Sequence, residues 1–147
     1  VAKKFTAQVD EMIAVNEKRM TALFRESVQR TVDMAQLSIY KGGRMRIDTG
    51  FLRASGQGSF DGMPTGPSVN PSERSADQAR GSLYRYDEQN VQLTLSRFTL
   101  GMTFFFGWTA NYAIYREAYD GFLETAAQRW PQIVQSVTDD IRKRITK

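Results

Sequence analysis

Residues 91–108 read Val91-Gln92-Leu93-Thr94-Leu95-Ser96-Arg97-Phe98-Thr99-Leu100-Gly101-Met102-Thr103-Phe104-Phe105-Phe106-Gly107-Trp108, and whether this stretch is sheet or helix decides the fold class. Val91 to Leu95 alternates apolar and polar strictly, part of Thr99 to Phe106 does the same, and Ser96-Arg97-Phe98 between them is short enough for a hairpin turn. Ser82 to Tyr86 is a candidate third strand. From Met102 to Trp108 the run turns continuously aromatic, the mark of a strand covered on both faces. One cover is helix; the other is either the chain's own core or a neighbouring subunit.

Working outward, the apolar residues Phe5, Val9, Met12, Ile13, Met20, Leu23, Phe24, Val28, Val32, Ala35 and Ile39 recur at helical spacing. No Gly or Pro precedes Gly42, so a helix of some 30–35 residues, roughly 50 Å long, is expected. Gly42-Gly43 is its expected C-cap. A small domain does not easily cover both ends of such a rod. Asn16 and Glu17 break the stripe, marking either a kink or the point where the helix leaves its core, and an apolar remainder left bare needs another subunit.

On the other side, Phe122, Leu123, Ala126, Ala127, Trp130, Ile133, Val134, Val137, Ile141 and Ile145 form a second helical stripe, with a kink expected near Trp130 from Pro131. Eight of the eleven glycines and three of the four prolines fall between Gly42 and Gly81, so a long irregular loop is expected over 56–80. Such a loop either binds and orders on assembly or is a tolerated surface insertion. The predicted architecture is therefore α+β: a small antiparallel or mixed sheet of 3–4 strands, a long N-terminal helix and a kinked C-terminal helix. All 147 residues form one domain, running as helix over 1–40, turn and Gly/Pro-rich loop over 41–81, strands over 82–108, and a connecting segment with the C-terminal helix over 109–147.

With 41% hydrophobic and 24% charged residues the composition is that of a globular domain, and no run is apolar enough for a membrane span. The chain contains neither Cys nor His, which removes disulfides, thiolate nucleophiles, imidazole bases and the usual zinc, copper and haem ligands. No cofactor is expected. Asp139-Asp140 and Asp87-Glu88 are sequence neighbours that project apart, and neither a GxxxxGK[ST] loop nor a GxGxxG turn occurs. An enzyme is not expected. The formal charge of +4 is spread along the chain, with small basic groupings at Lys41, Arg44, Arg46 and Arg53 and at Arg142, Lys143, Arg144 and Lys147. These are either solvated cations or weak phosphate contacts, and a basic nucleic-acid-binding module is the reading of another class. The start, Val1-Ala2-Lys3-Lys4, carries no apolar signal core, so synthesis in a cytoplasm is expected.

The most specific string is Arg46-Ile47-Asp48-Thr49-Gly50-Phe51-Leu52-Arg53-Ala54-Ser55. Asp48 or Thr49 can accept from amides two or three residues on, Gly50 frees the turn, Leu52 anchors the segment, and Arg53 and Ser55 stay polar. This D-T-G-x-L-R-x-S string resembles one in the neck or tail-completion proteins of long-tailed bacteriophages, a tail-component family related in role to the minor tail protein Z of lambda. Downstream, Tyr112-Ala113 with Glu117 resembles that family's YA-x-x-x-E signature, and Phe122-Leu123 its P-F-L-x-x-A helix start, with Gly121 where Pro is frequent. The order of segments is also similar. The resemblance implies a virion protein at the head-to-tail junction, built as a homo-hexameric ring with no catalytic activity. Its implied partners are a head-closure or adaptor protein on one side and a tail-terminator or tail-tube protein on the other, with DNA passing through the lumen without sequence-specific binding. The tail terminator or the head-closure protein itself is the alternative within the same junction. Candidate interface residues are Arg46, Asp48, Thr49, Gly50, Leu52, Arg53, Ser55, Tyr112, Ala113, Glu117, Phe122 and Leu123.

Overall fold

The backbone of the molecule is a single long helix, α1 (Phe5–Gln36), against whose second half three later helices are stacked. A computed structural model describes residues 4–66, 68–69 and 73–147. The chain start Val1 to Lys3, and Pro67 and 70–72 of the expected Gly/Pro-rich loop, lie outside the described residues. In chain order α1 is followed by a short 3-10 turn (Ile39–Lys41), α2 (Phe51–Ala54), β1 (Gly56–Ser59), α3 (Glu88–Ser96), β2 (Phe105–Trp108), α4 (Ala113–Asp120), α5 (Phe122–Gln128) and α6 (Trp130–Ile145). The fold is mixed α/β with one two-stranded antiparallel sheet, in which Gly56 pairs with Trp108 and Ser59 with Phe105.

The long helix is present as expected, at 32 residues or about 48 Å. It runs unbroken through Asn16 and Glu17. What changes along it is burial: from Phe5 to Met20 only Val9 is even half-buried, while Ser27, Val28, Val32, Ala35 and Gln36 are in the interior. The covered half packs against α3, α5 and α6. Against α6 it is clamped by charge: Arg30 bonds Glu26 at 2.8 Å and Asp140 at 2.7 Å, and Arg144 reaches Glu26 at 3.1 Å.

The expected strand over Val91–Leu95 is helix. Asp87 accepts from the amide of Gln89 at 3.0 Å and starts α3, and the buried residues are Val91, Thr94, Leu95 and Phe98, spaced as on a helix. Leu93, which an alternating strand would place beside Val91 and Leu95, is 67% exposed. Both patterns fit the same letters, and the capping aspartate together with the packing of Val91 and Leu95 on Val28 and Val32 decides for helix. Arg25 closes the other end, its Nη2 donating to the carbonyls of Ser96 and Phe98 at 2.7 Å each.

With α3 a helix, the expected sheet of 3–4 strands shrinks to two. Ser82–Tyr86 is not a strand, and the partner of β2 comes from inside the Gly/Pro-rich stretch. Gly56-Gln57-Gly58-Ser59 shows no apolar alternation because its glycines make room: a Cβ on Gly56 would lie 2.5 Å from Gln36 Nε2 and 3.0 Å from the Phe106 ring. The aromatic run is half-buried, with Phe104, Phe106 and Trp108 packed against the chain's own core clusters, so the strand is not fully covered on both faces as expected. Phe24 stacks on Phe98 at 4.1 Å, and from Phe98 rings follow through Phe60, Phe104, Phe106 and Trp108 to Phe122 at centroid distances of 5.0–6.5 Å.

Two helix boundaries also differ from expectation. The long helix stops at Gln36, with Leu37 extended, and Gly42 closes the short 3-10 turn instead of α1. The amide of Ile39 then donates to the Met45 carbonyl at 2.9 Å, and the Met45 amide donates to the Leu37 carbonyl at 3.2 Å. At the C-terminal end the expected kink is a full break at Arg129, and Pro131 sits in the first turn of α6, where its missing N–H costs nothing.

Candidate assembly interface

The turn at Asp48-Thr49-Gly50 is built from its own side chains. Thr49 Oγ1 accepts from the amide of Phe51 at 3.1 Å and opens α2, while Gly50 takes φ +91°. A Cβ there would stand 2.3 Å from the carbonyl oxygen of Tyr84, so the position admits only glycine. The backbone on either side is pinned to the end of the long loop: the amides of Gly81 and Tyr84 donate to the carbonyls of Asp48 and Thr49 at 2.6 and 3.0 Å. Arg74, from the same loop, donates to Asp48 at 2.7 Å and to the Gln78 carbonyl at 2.6 Å. The part of the loop from 74 to 84 is thus stitched to the turn.

Leu52 points inward, joining Met45, Ile47, Ala110 and Phe122 in a core cluster against which Phe51, Trp108, Tyr112 and Ala113 pack. Ser55 ties the two family-like strings together. Its Oγ donates to the Leu52 carbonyl at 2.7 Å and accepts from the amide of Ala110 at 3.2 Å, and its carbonyl accepts from Thr109 at 3.3 Å. The carbonyl of Arg53 accepts from Gln36 Nε2 at 3.0 Å, and Gln36 Oε1 in turn accepts from the Trp108 indole at 2.8 Å. Gln36 is 4% exposed. Its signal in the sequence is slight: a polar residue four positions after Val32, on the buried side of the stripe. Arg74, Gly81 and Tyr84 carry no such signal, because loop contacts have no period.

The second string resolves into parts with distinct duties. Tyr112 precedes α4 and lies against Phe51, with ring centroids 6.3 Å apart; burial pushes its phenol up, against the opposing pull of the Leu52 amide. Ala113 is half-buried beside it. Glu117 reaches forward over the turn at Gly121 and accepts from the amides of Leu123 and Glu124, each at 2.8 Å, so its carboxylate caps α5. Phe122 is buried edge-on to Trp108 at 5.0 Å, whereas Leu123 is 43% exposed. Of the twelve candidate residues, then, Gly50, Leu52, Ser55, Glu117 and Phe122 hold the scaffold, and Arg46, Asp48 and Leu123 face outward.

Between the two strings lies an open cleft of about 390 Å³, lined by Tyr40, residues 46–53, Arg80, Tyr112 and Arg116. Its one carboxylate, Asp48, is held by Arg74, and two of its arginines are engaged by Asp120 just outside it, Arg116 bidentately at 2.7 Å and Arg46 at 3.7 Å. Arg80 lies over the Tyr40 ring at 5.3 Å. The cleft consequently has a basic rim around Ile47, Phe51 and Leu52, suited to contact with an acidic surface. Beside it, α4 contributes no buried residue at all, and Ile114, Tyr115 and Tyr119 are 75%, 68% and 84% exposed. No family model, no curated protein and no solved structure matches this chain.

Proposed function

We propose that the protein is a structural component of a phage head-to-tail connector: a neck or tail-completion subunit that forms a ring of six, joining capsid and tail around the DNA channel. The observation that carries this reading is that the two family-like strings are folded onto one another, through Ser55 and Ala110 at 55 residues' separation, into one scaffold with exposed apolar surface on either side. The similarity of those strings to neck proteins supplies the biological setting; the bare arm and bare α4 supply the need for neighbours. In this reading the subunit works by shape and has no catalytic step. It meets a head-closure or adaptor protein above and a tail-terminator or tail-tube protein below, in the virion, and lets DNA pass without reading its sequence.

Particles assembled without the protein test it. DNA-filled heads and complete tails that accumulate separately are the expected outcome, because both halves are made and only the joint is missing. Joined, infectious particles lacking the protein would overturn the reading.

A further inference from the structure

Two apolar surfaces are left bare, and they sit at opposite ends of the molecule. The first is the free half of α1, where Phe5, Met12, Ile13 and Met20 are 78%, 58%, 48% and 56% exposed along one stripe. That stripe continues into the buried face at Leu23 and Phe24, so it is core-type surface with nothing on it. The second is the outer side of α4, with Ile114, Tyr115 and Tyr119. α4 stands with α5 beside the Met45 and Leu52 cluster, level with the end of α1 at Gln36; the free arm ends sixteen residues earlier, about 24 Å away along the helix axis. A straight helix pointing away cannot fold back onto its own α4. Only another copy brings the two together.

We infer that the free arm of one copy, residues 5–20, docks on the α4 face of the next, and that this head-to-tail contact closes the ring. Charge agrees with the pairing. The arm carries Asp10, Glu11 and Glu17 over its outer part and Lys18 and Arg19 only at its inner end, three acids against two bases over residues 5–20. Residues 40–46 carry Lys41, Arg44 and Arg46 and no anion, and Arg44 and Arg46 line a groove with Tyr119 and with Asp120, whose carboxylate is already held by Arg116. Arg80 adds a fourth cation over Tyr40. Area agrees as well: seven large side chains at roughly 100 Å² each amount to about 700 Å² of apolar surface, close to the ~900 Å² apolar share of a standard interface. Because each copy offers a different patch to each neighbour, the contact is heterologous, and such contacts generate rings. Ring closure in this sense rests on the connector reading above.

The natural chain has no cysteine, so introduced cysteines report without background. The double variant Met12→Cys/Tyr115→Cys, oxidised in solution, is expected to give a ladder of covalent multimers on a non-reducing gel, while each single variant stays monomeric on it. A second arm uses charge: Met12→Glu/Ile13→Glu and Ile114→Glu/Tyr119→Glu each reduce the mass in solution to that of the monomer, and mixing the two restores a dimer, since one intact contact remains. Retained helical circular dichroism in each variant shows that exposed positions alone were changed. Cross-linking by Met12→Cys alone means arm-to-arm pairing and overturns the inference. So does cross-linking of Met12→Cys to Ile145→Cys, which places the arm in the groove between α1 and α6 instead. A wild-type chain that is monomeric at every concentration also overturns it. The connector reading is judged separately, by whether heads and tails join without the protein.

Discussion

Glu117 stands among residues that resemble a binding signature, yet its carboxylate is fully engaged in capping α5 through the amides of Leu123 and Glu124. Two orphan donors at a helix start are costly to leave bare, and the acid also complements the positive end of the helix. Glu117→Ala is therefore expected to lower unfolding stability by about 1–2 kcal/mol, with Glu117→Gln losing roughly half as much, read from chemical denaturation. An unchanged midpoint in Glu117→Ala would mean that the carboxylate serves a partner and not the fold. The same reasoning sorts the other string: Thr49, Gly50, Leu52 and Ser55 form a self-supporting turn and anchor, and only Arg46 and Asp48 are exposed. That a turn would form at Gly50 was legible from Asp-Thr-Gly alone. That Ser55 would hold Ala110, or Gln36 both Trp108 and Arg53, was not, because such bonds depend on which distant segments meet.

At the scale of elements, α1 was readable because a stripe of more than thirty residues has one interpretation. α3 was not: Val91, Leu93 and Leu95 alternate, while Val91, Thr94, Leu95 and Phe98 are helical, and nine residues are too few to separate the periods. β1 was hidden for the opposite reason, since a glycine-rich strand has no alternating side chains to show. The helix at 88–96 makes a sharp prediction. Leu93→Lys should change stability by less than about 0.5 kcal/mol, whereas Leu95→Lys, which buries a cation against Val28 and Val32, should cost more than about 3 kcal/mol. Equal damage from both would restore the strand.

The clamp between α1 and α6 adds a pH dependence whose sign is fixed. The hydrogen bond from Arg30 holds the Asp140 carboxyl below its ordinary value; burial by itself would raise Glu26, but the bonds from Arg144 and Arg30 outweigh it and lower that group too. Both acids contribute stability that is fully present above their unfolded values of about 3.9 and 4.3 and is lost as pH falls through the lower folded ones. Asp33, raised by burial, runs the other way and softens the loss. The gap in denaturation midpoint between the wild type and Arg30→Met should accordingly be open at pH 7 and narrow progressively as pH falls below the ordinary carboxylate range. A gap that persists undiminished in acid would show that Arg30 acts through packing.

The whole molecule has the length of a domain, but the burial is unevenly spent: the second half of α1 carries the core, and the first half and α4 carry apolar surface that water would otherwise wet. The most direct measurement is the electron-microscopic reconstruction of joined particles together with the protein's copy number in them. The account predicts six copies in a ring at the head-to-tail junction, each arm crossing to the next subunit's α4. Particles that contain no copy of the chain, or that carry it anywhere other than that junction, would contradict it.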